Sequence, residues 1–198
     1  MTGTRSRASL ARLAMPLVLW ASLAGDAGAA AMPGDNVDEE LLRLLKRTVV
    51  VADSFEDRYD AEVWLLDKST ELARFIPDKP KRLEFLRKVH REASRAGLSP
   101  EVVLAVIEVE SRFDPYAVST AGALGLMQVM PFWKNEIGRP EDNLINVDVN
   151  LRYGCTILKY YLDKEDGRLR EALARYNGSY GQYWYPQRVL LAWENRWR

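Results

Sequence analysis

Cysteine and histidine are nearly absent from this 198-residue chain, with Cys155 and His90 alone in their kinds. A single cysteine rules out an intramolecular disulfide. A single histidine removes the usual zinc clusters and any Ser-His-Asp triad, so no metal site is expected. Cys155 lies between Gly154 and Thr156 in an apolar helical pattern and reads as a buried, inert thiol. His90 reads as a helix residue touching the core. An excess of either charge is also missing, with 28 basic and 28 acidic residues. Such neutrality argues against nucleic acid as a partner, because phosphate binding needs a basic excess. No glycine-rich phosphate loop occurs, and no cofactor is expected. Internal repeats, low-complexity tracts and alternating strand patterns are lacking too, apart from the Ala-rich AGAAA at 27–31.

Long apolar runs are equally scarce. Leu13 to Leu23 is short and interrupted, too short to span a bilayer comfortably. With Arg5, Arg7 and Arg12 before it and small residues at 27–31 after it, residues 1–29 read as a signal peptide, with cleavage as late as 31. No cysteine near that point offers a lipid anchor, and no paired arginines call for the twin-arginine route. Removing residues 1–29 takes away three arginines and one aspartate, leaving 25 basic against 27 acidic residues, a net charge of −2. The remainder is ample for one compact domain, with monomer as the default and no membrane span.

What is abundant is helical pattern. Helices are expected over 41–55 (with an ambiguous Thr-Val-Val-Val run), 60–75, 81–96, 99–113, 147–163, 168–176 and 186–197. Pro77 and Pro80 break the chain, and Gly97 is placed as a C-cap. Pro115, Gly122, Gly125, Pro131, Gly138 and Pro140 mark a turn-rich stretch, with a short irregular or β-like excursion near 115–130. The chain is mostly α. Residues 30–38 read as a flexible mature N-terminus, and weak linker composition favours one continuous unit from the helices at 39–96 onward.

One residue breaks the pattern of its helix. In SPEVVLAVIEVESRF, Ser99 is a ready N-cap, followed by Pro100 and an early Glu101. Val103, Val106 and Ile107 share one side, with Glu101, Glu108 and Arg112 opposite. Glu110 falls inside the apolar stripe. A carboxyl pressed against apolar neighbours has its charged form desolvated and its pKa raised, as a general acid near neutral pH requires. A buried structural glutamate paired with an arginine fits the helix alone equally well.

From Glu110 the chain reads ESRFDPYAVSTAGALGLMQVMP, followed by NVDVNLRYG at 146–154 and ALARYNGS at 172–179. This ordered string closely resembles the signature of the soluble lytic transglycosylases, the goose-type-lysozyme-like enzymes of bacterial cell-wall turnover. The resemblance covers residues 97–198 and leaves 30–96 as an N-terminal helical segment. It implies a lysozyme-like helical domain in the periplasm, acting on peptidoglycan glycan strands. It also implies that Glu110 is both acid and base in non-hydrolytic cleavage of the β-1,4 bond between N-acetylmuramic acid and N-acetylglucosamine. The substrate's N-acetyl group assists, and the product carries a 1,6-anhydromuramyl end.

Carried over position by position, Ser119 matches a serine hydrogen-bonding near the acid, and Gln128 a substrate-binding amide. Met127 and Met130 resemble methionines lining the sugar groove. Tyr176 matches a tyrosine whose hydroxyl reaches the carboxyl, with Asn177 beside it as a groove or structural amide. Tyr185 matches a C-terminal tyrosine near the active site. On sequence alone Ser119 is equally a turn hydroxyl, either methionine is equally core, and Tyr183, Trp184, Tyr185 and Trp133 are equally core or sugar-stacking. Asp114, in a Phe-Asp-Pro turn, reads as turn-stabilising. Gly-Ser-Tyr-Gly replaces the family's common Ala-Gly after Tyr-Asn. Two other readings stand beside the first: a muramidase with a second carboxylate activating water, and a non-catalytic glycan binder that has kept the fold.

Overall fold

The computed structural model describes residues 58–198. The signal peptide, the flexible segment at 30–38 and the helix at 41–55, all expected from the sequence, lie outside the described residues. Those described form seven α-helices: α1 Arg58–Leu72, α2 Lys79–Ala96, α3 Pro100–Ser111, α4 Trp133–Ile137, α5 Val147–Lys164, α6 Leu169–Asn177 and α7 Trp184–Ala192. A π-helical turn, Trp193–Trp197, closes the chain. Among them there is no strand, only two isolated antiparallel bridges, Val118 with Leu124 and Leu124 with Val129.

Local chemistry sets the boundaries. Asp78 caps α2 by accepting from the Lys81 amide at 2.9 Å, with Pro80 in the first turn, where its missing N–H costs nothing. Gly97 ends α2 in the left-handed conformation at φ 68°, returning its N–H to Ala93 and Ser94. Ser99 caps α3, and Asn146 caps α5 by accepting from the amides of Asp148 and Val149. Helix α4, five residues long, falls in a stretch where only turns are expected. It is too short to display a helical period.

Helix α3 is the hub. Val102 through Ile107 are all buried, six consecutive residues, so the helix is wrapped on every side rather than striped on one. It packs against α2, α7 and the closing turn. The core it shares with Leu65, Leu86, Leu126, Leu151 and Trp197 is continuous across the described residues. Between α2 and α5, Glu92 is fully buried and held by Arg95 at 2.7 Å and Arg152 at 3.1 Å. A buried carboxylate so paired avoids the cost of an isolated charge, and its pKa is lowered despite desolvation.

The stretch between α3 and α4 has no regular structure of its own and is held from outside. Asn150, on α5 and almost fully buried, donates to the carbonyls of Leu124 (2.8 Å) and Leu144 (2.7 Å) and accepts from the Met127 amide at 2.8 Å. One side chain thus satisfies three backbone groups that the loop buries. The approach is close enough to require glycines. A Cβ on Gly125 (φ 73°) would come within 2.6 Å of Asn150 Nδ2, and one on Gly154 within 2.3 Å of Met127 Sδ.

Candidate active site

The catalytic candidate sits where α3 stops. Ser111 donates back to the Ile107 carbonyl at 3.1 Å, and then Arg112 and Phe113 both take positive φ, 53° and 68°. Two consecutive non-glycine residues in the left-handed region are costly unless anchored. The anchor is Phe113, buried with its ring 4.7 Å from Phe75, 5.9 Å from Phe85 and 5.5 Å from Trp197, centroid to centroid. The sharp reversal ends the helix within a turn of Glu110 and leaves that carboxyl at the edge of the core.

Glu110 opens on a cleft of about 640 Å3 whose wall includes Ser111, Ala117, Ser119, Gln128 and Arg188. Burial pushes its carboxyl up to about 7 from the ordinary 4.5, against the opposing pull of the Tyr185 hydrogen bond and the Arg188 charge. The desolvation expected from its place among apolar residues is present, and near neutral pH the group exchanges its proton readily. Tyr185 is buried and donates its hydroxyl to Glu110 Oε1 at 2.6 Å. Desolvation holds both Tyr185 and Tyr176 as neutral phenols.

Two expectations are corrected. Tyr176 does not reach the carboxyl: its hydroxyl donates to the Met127 carbonyl at 2.7 Å, and Tyr185 takes the position beside Glu110. Met127 does not line the groove. It is fully buried, because the hydrogen bond from its amide to Asn150 turns its side chain onto Gly154.

The other candidates divide between cleft and scaffold. Ser119 lies in the cleft wall and accepts from the Ala123 amide at 3.0 Å, so the same hydroxyl secures the turn and keeps its proton free to donate. Gln128, at φ 50°, spends its amide donors on the carbonyls of Gly125 (2.9 Å) and Ala117 (3.2 Å), leaving its carbonyl oxygen as an acceptor. Met130 and Asn177 are half-buried and stand outside the cleft wall. Asp114 is exposed and accepts from the Tyr116 amide at 2.9 Å, a turn role. Tyr183 and Trp184 are about half exposed, at 53% and 50%.

Sequence reasoning missed three contributors. Arg188 stands three residues after Tyr185 on α7, a spacing that puts both on one helix face. Asn150 was visible only as one asparagine in an asparagine-rich stretch. Glu108 shares the cleft with Glu110, yet both its oxygens are taken, Oε1 by Arg196 and Oε2 by the Trp197 indole at 2.7 Å. Nothing local in the sequence signals that long-range pairing.

Residues 88–188 match the family model described as the transglycosylase SLT domain. A membrane-bound lytic murein transglycosylase F from Desulfosudis oleivorans is 29% identical over 204 residues, an alignment covering 94% of this chain and 42% of that protein. A membrane-bound lytic murein transglycosylase C from Actinobacillus pleuropneumoniae is 52% identical over 48 residues, 24% of this chain and 13% of that one. Among solved structures, an inactive mutant of the lytic transglycosylase Slt from Pseudomonas aeruginosa aligns with a TM-score of 0.44 and 22% identity, covering 75% of this chain and 30% of that one. The chain spans less than half the length of each of these relatives.

Proposed function

This chain belongs to the transglycosylase SLT domain family, and from that premise we propose that it is a peptidoglycan lytic transglycosylase with Glu110 as its single acid and base. The β-1,4 bond between N-acetylmuramic acid and N-acetylglucosamine breaks when Glu110 gives its proton to the bridging oxygen. The muramyl N-acetyl oxygen covers the anomeric carbon as the leaving sugar departs. The Glu110 carboxylate, steadied by the Tyr185 hydroxyl, then takes the proton of the muramyl C6 hydroxyl. That oxygen attacks C1, the N-acetyl group is released, and a 1,6-anhydro end forms without water. Glu110 regains its proton in the same step, so the cycle closes.

The observation that carries this reading is the pairing of Glu110 with its neighbours. Its carboxyl is desolvated by burial at the edge of an open cleft and held by one tyrosine, while the only other carboxylate among the residues walling that cleft, Glu108, is occupied on both oxygens. A hydrolytic enzyme needs a second carboxylate free to act on water. Ser119 and the Gln128 carbonyl oxygen are the polar groups offered to the sugar. Met130, Tyr176 and Asn177 support the wall. We assign the catalytic domain to residues 97–198, the helical segment before it to residues 30–96, and residues 1–29 to export into the periplasm.

The test is mass spectrometry of fragments released from purified peptidoglycan by the full chain and by Glu110→Gln. Anhydromuramyl ends from the first and none from the second are expected. Products heavier by one water would make the protein a muramidase, and no release by either would favour a glycan binder. Turnover should decline as pH rises through about 7, where Glu110 loses the proton it must donate.

A further inference from the structure

Arg188 is an exposed guanidinium on the cleft wall, and among the described residues no carboxylate, carbonyl or ring takes it. The other two arginines of that wall are engaged. Arg196 pairs with Glu108 and lies 5.7 Å from the Phe75 ring centroid, and Arg112 lies over the same ring at 5.8 Å. When Glu110 carries its proton, the wall therefore holds three guanidiniums against the one carboxylate of Glu108. A chain with 28 basic and 28 acidic residues has no such excess overall. The surplus is local, and Arg188, with neither a ring nor an acceptor taking it among the described residues, is the part of it whose charge acts on Glu110.

Its position also has a cost. The Arg188 charge pulls Glu110 toward the ionised form and away from the protonated one an acid catalyst needs. A cation that opposes the first chemical step and braces nothing among the described residues is explained if it serves the ligand. The guanidinium fork offers parallel donors suited to a carboxylate, and pairing with one would also relieve its pull on Glu110.

We propose that Arg188 is a specificity-determining residue that receives the carboxylate carried on the lactyl arm of a muramyl residue, either the free lactyl carboxylate of a peptide-free strand or a carboxylate of the attached peptide. The proposal rests on the glycan-cleaving reading above. Strands whose carboxylates have been converted to amides would then bind less tightly than native ones, and the difference would reside in Arg188.

The experiment compares the native full chain, Arg188→Gln and Arg188→Lys on four substrates: peptide-free glycan strands, peptide-bearing strands, and each of these after amidation. Binding is read by titration in a Glu110→Gln background, and turnover is read separately as KM and kcat. Arg188→Gln should raise Kd and KM about tenfold on carboxylated strands, with little change on amidated ones. Arg188→Lys, which keeps the charge and loses the fork, should fall between. An effect on peptide-free strands assigns the lactyl carboxylate, and one confined to peptide-bearing strands assigns the peptide. Equal binding by native and Arg188→Gln proteins on carboxylated strands overturns the proposal, as does an equal loss on carboxylated and amidated ones. If the native chain yields no anhydro product yet its binding depends on carboxylate through Arg188, the catalytic reading fails and the anion site stands.

Discussion

Glu110 shows how far a single residue could be read before any fold was known. Its seven-residue interval from Val103 placed it among apolar side chains, and that place is what desolvates it. Its hydrogen-bond partner was less legible, since Tyr176 and Tyr185 were both tyrosines near the C-terminal end and only packing distinguishes them. Burial of the carboxyl carries a stability consequence. Its folded pKa of about 7 lies above the ordinary 4.5, so the native state holds the proton more strongly than the unfolded chain does. Stability from this group is fully present below about 4.5 and is lost as pH rises through about 7, a cost on the order of 3 kcal/mol. Glu110→Gln should therefore be the more stable protein at pH 8, by up to that amount, and should match the native chain near pH 4. Denaturant unfolding at the two pH values measures the difference.

Elements were legible where they were long and capped. Ser99 caps α3 as its type and position suggest, whereas Pro80, read as a break, sits in the first turn of α2, which Asp78 caps, and Asn146 caps α5. The sidedness of α3 was not legible: Val102, Leu104 and Ala105 are as buried as the stripe residues because α7 and the closing turn cover the remaining face. The segment from 115 to 130 announced its turns but not its support. Gly154 is the informative position there, a helical glycine whose missing side chain leaves room for Met127. Gly154→Ala should cost about 1–3 kcal/mol by overpacking, and more if Met127 cannot move without loosening its amide bond to Asn150. A lowered denaturation midpoint with an unchanged m value would register it. A midpoint equal to the native one would mean that the loop yields freely.

At the scale of the whole molecule, the two ends of the described chain meet on α3, the helix that carries Glu110. Trp64 of α1 donates its indole N–H to Glu101 at 2.6 Å, and Trp197 of the closing turn donates to Glu108 at 2.7 Å. Trp197 is also fully buried beside Phe113, so the last residues form part of the floor under the site. Ending the chain after Ala192 should destabilise it by about 3–5 kcal/mol through loss of the buried indole alone, with a further penalty for leaving Glu108 half-buried and unpaired. Activity should fall with it, because Glu108 stands two residues before Glu110 on the same helix. Chemical denaturation and turnover of the truncated chain, each against the native protein, would follow the two losses separately.

The sequence by itself determined the helical character, most helix starts, the family and the place of Glu110 among apolar residues. These depend on local spacing, on capping chemistry that acts within four residues, and on a string of types met in order. What the tertiary structure decided is everything that joins distant residues. Tyr185 rather than Tyr176 holds Glu110, Met127 is core rather than groove, Glu108 is spent on Arg196 and Trp197, and Arg188 faces the cleft with no partner among the described residues. The physical reason is that hydrogen bonds and desolvation are set by the few ångströms around an atom. Side chains 75 and 89 residues apart enter that range only after the helices have packed.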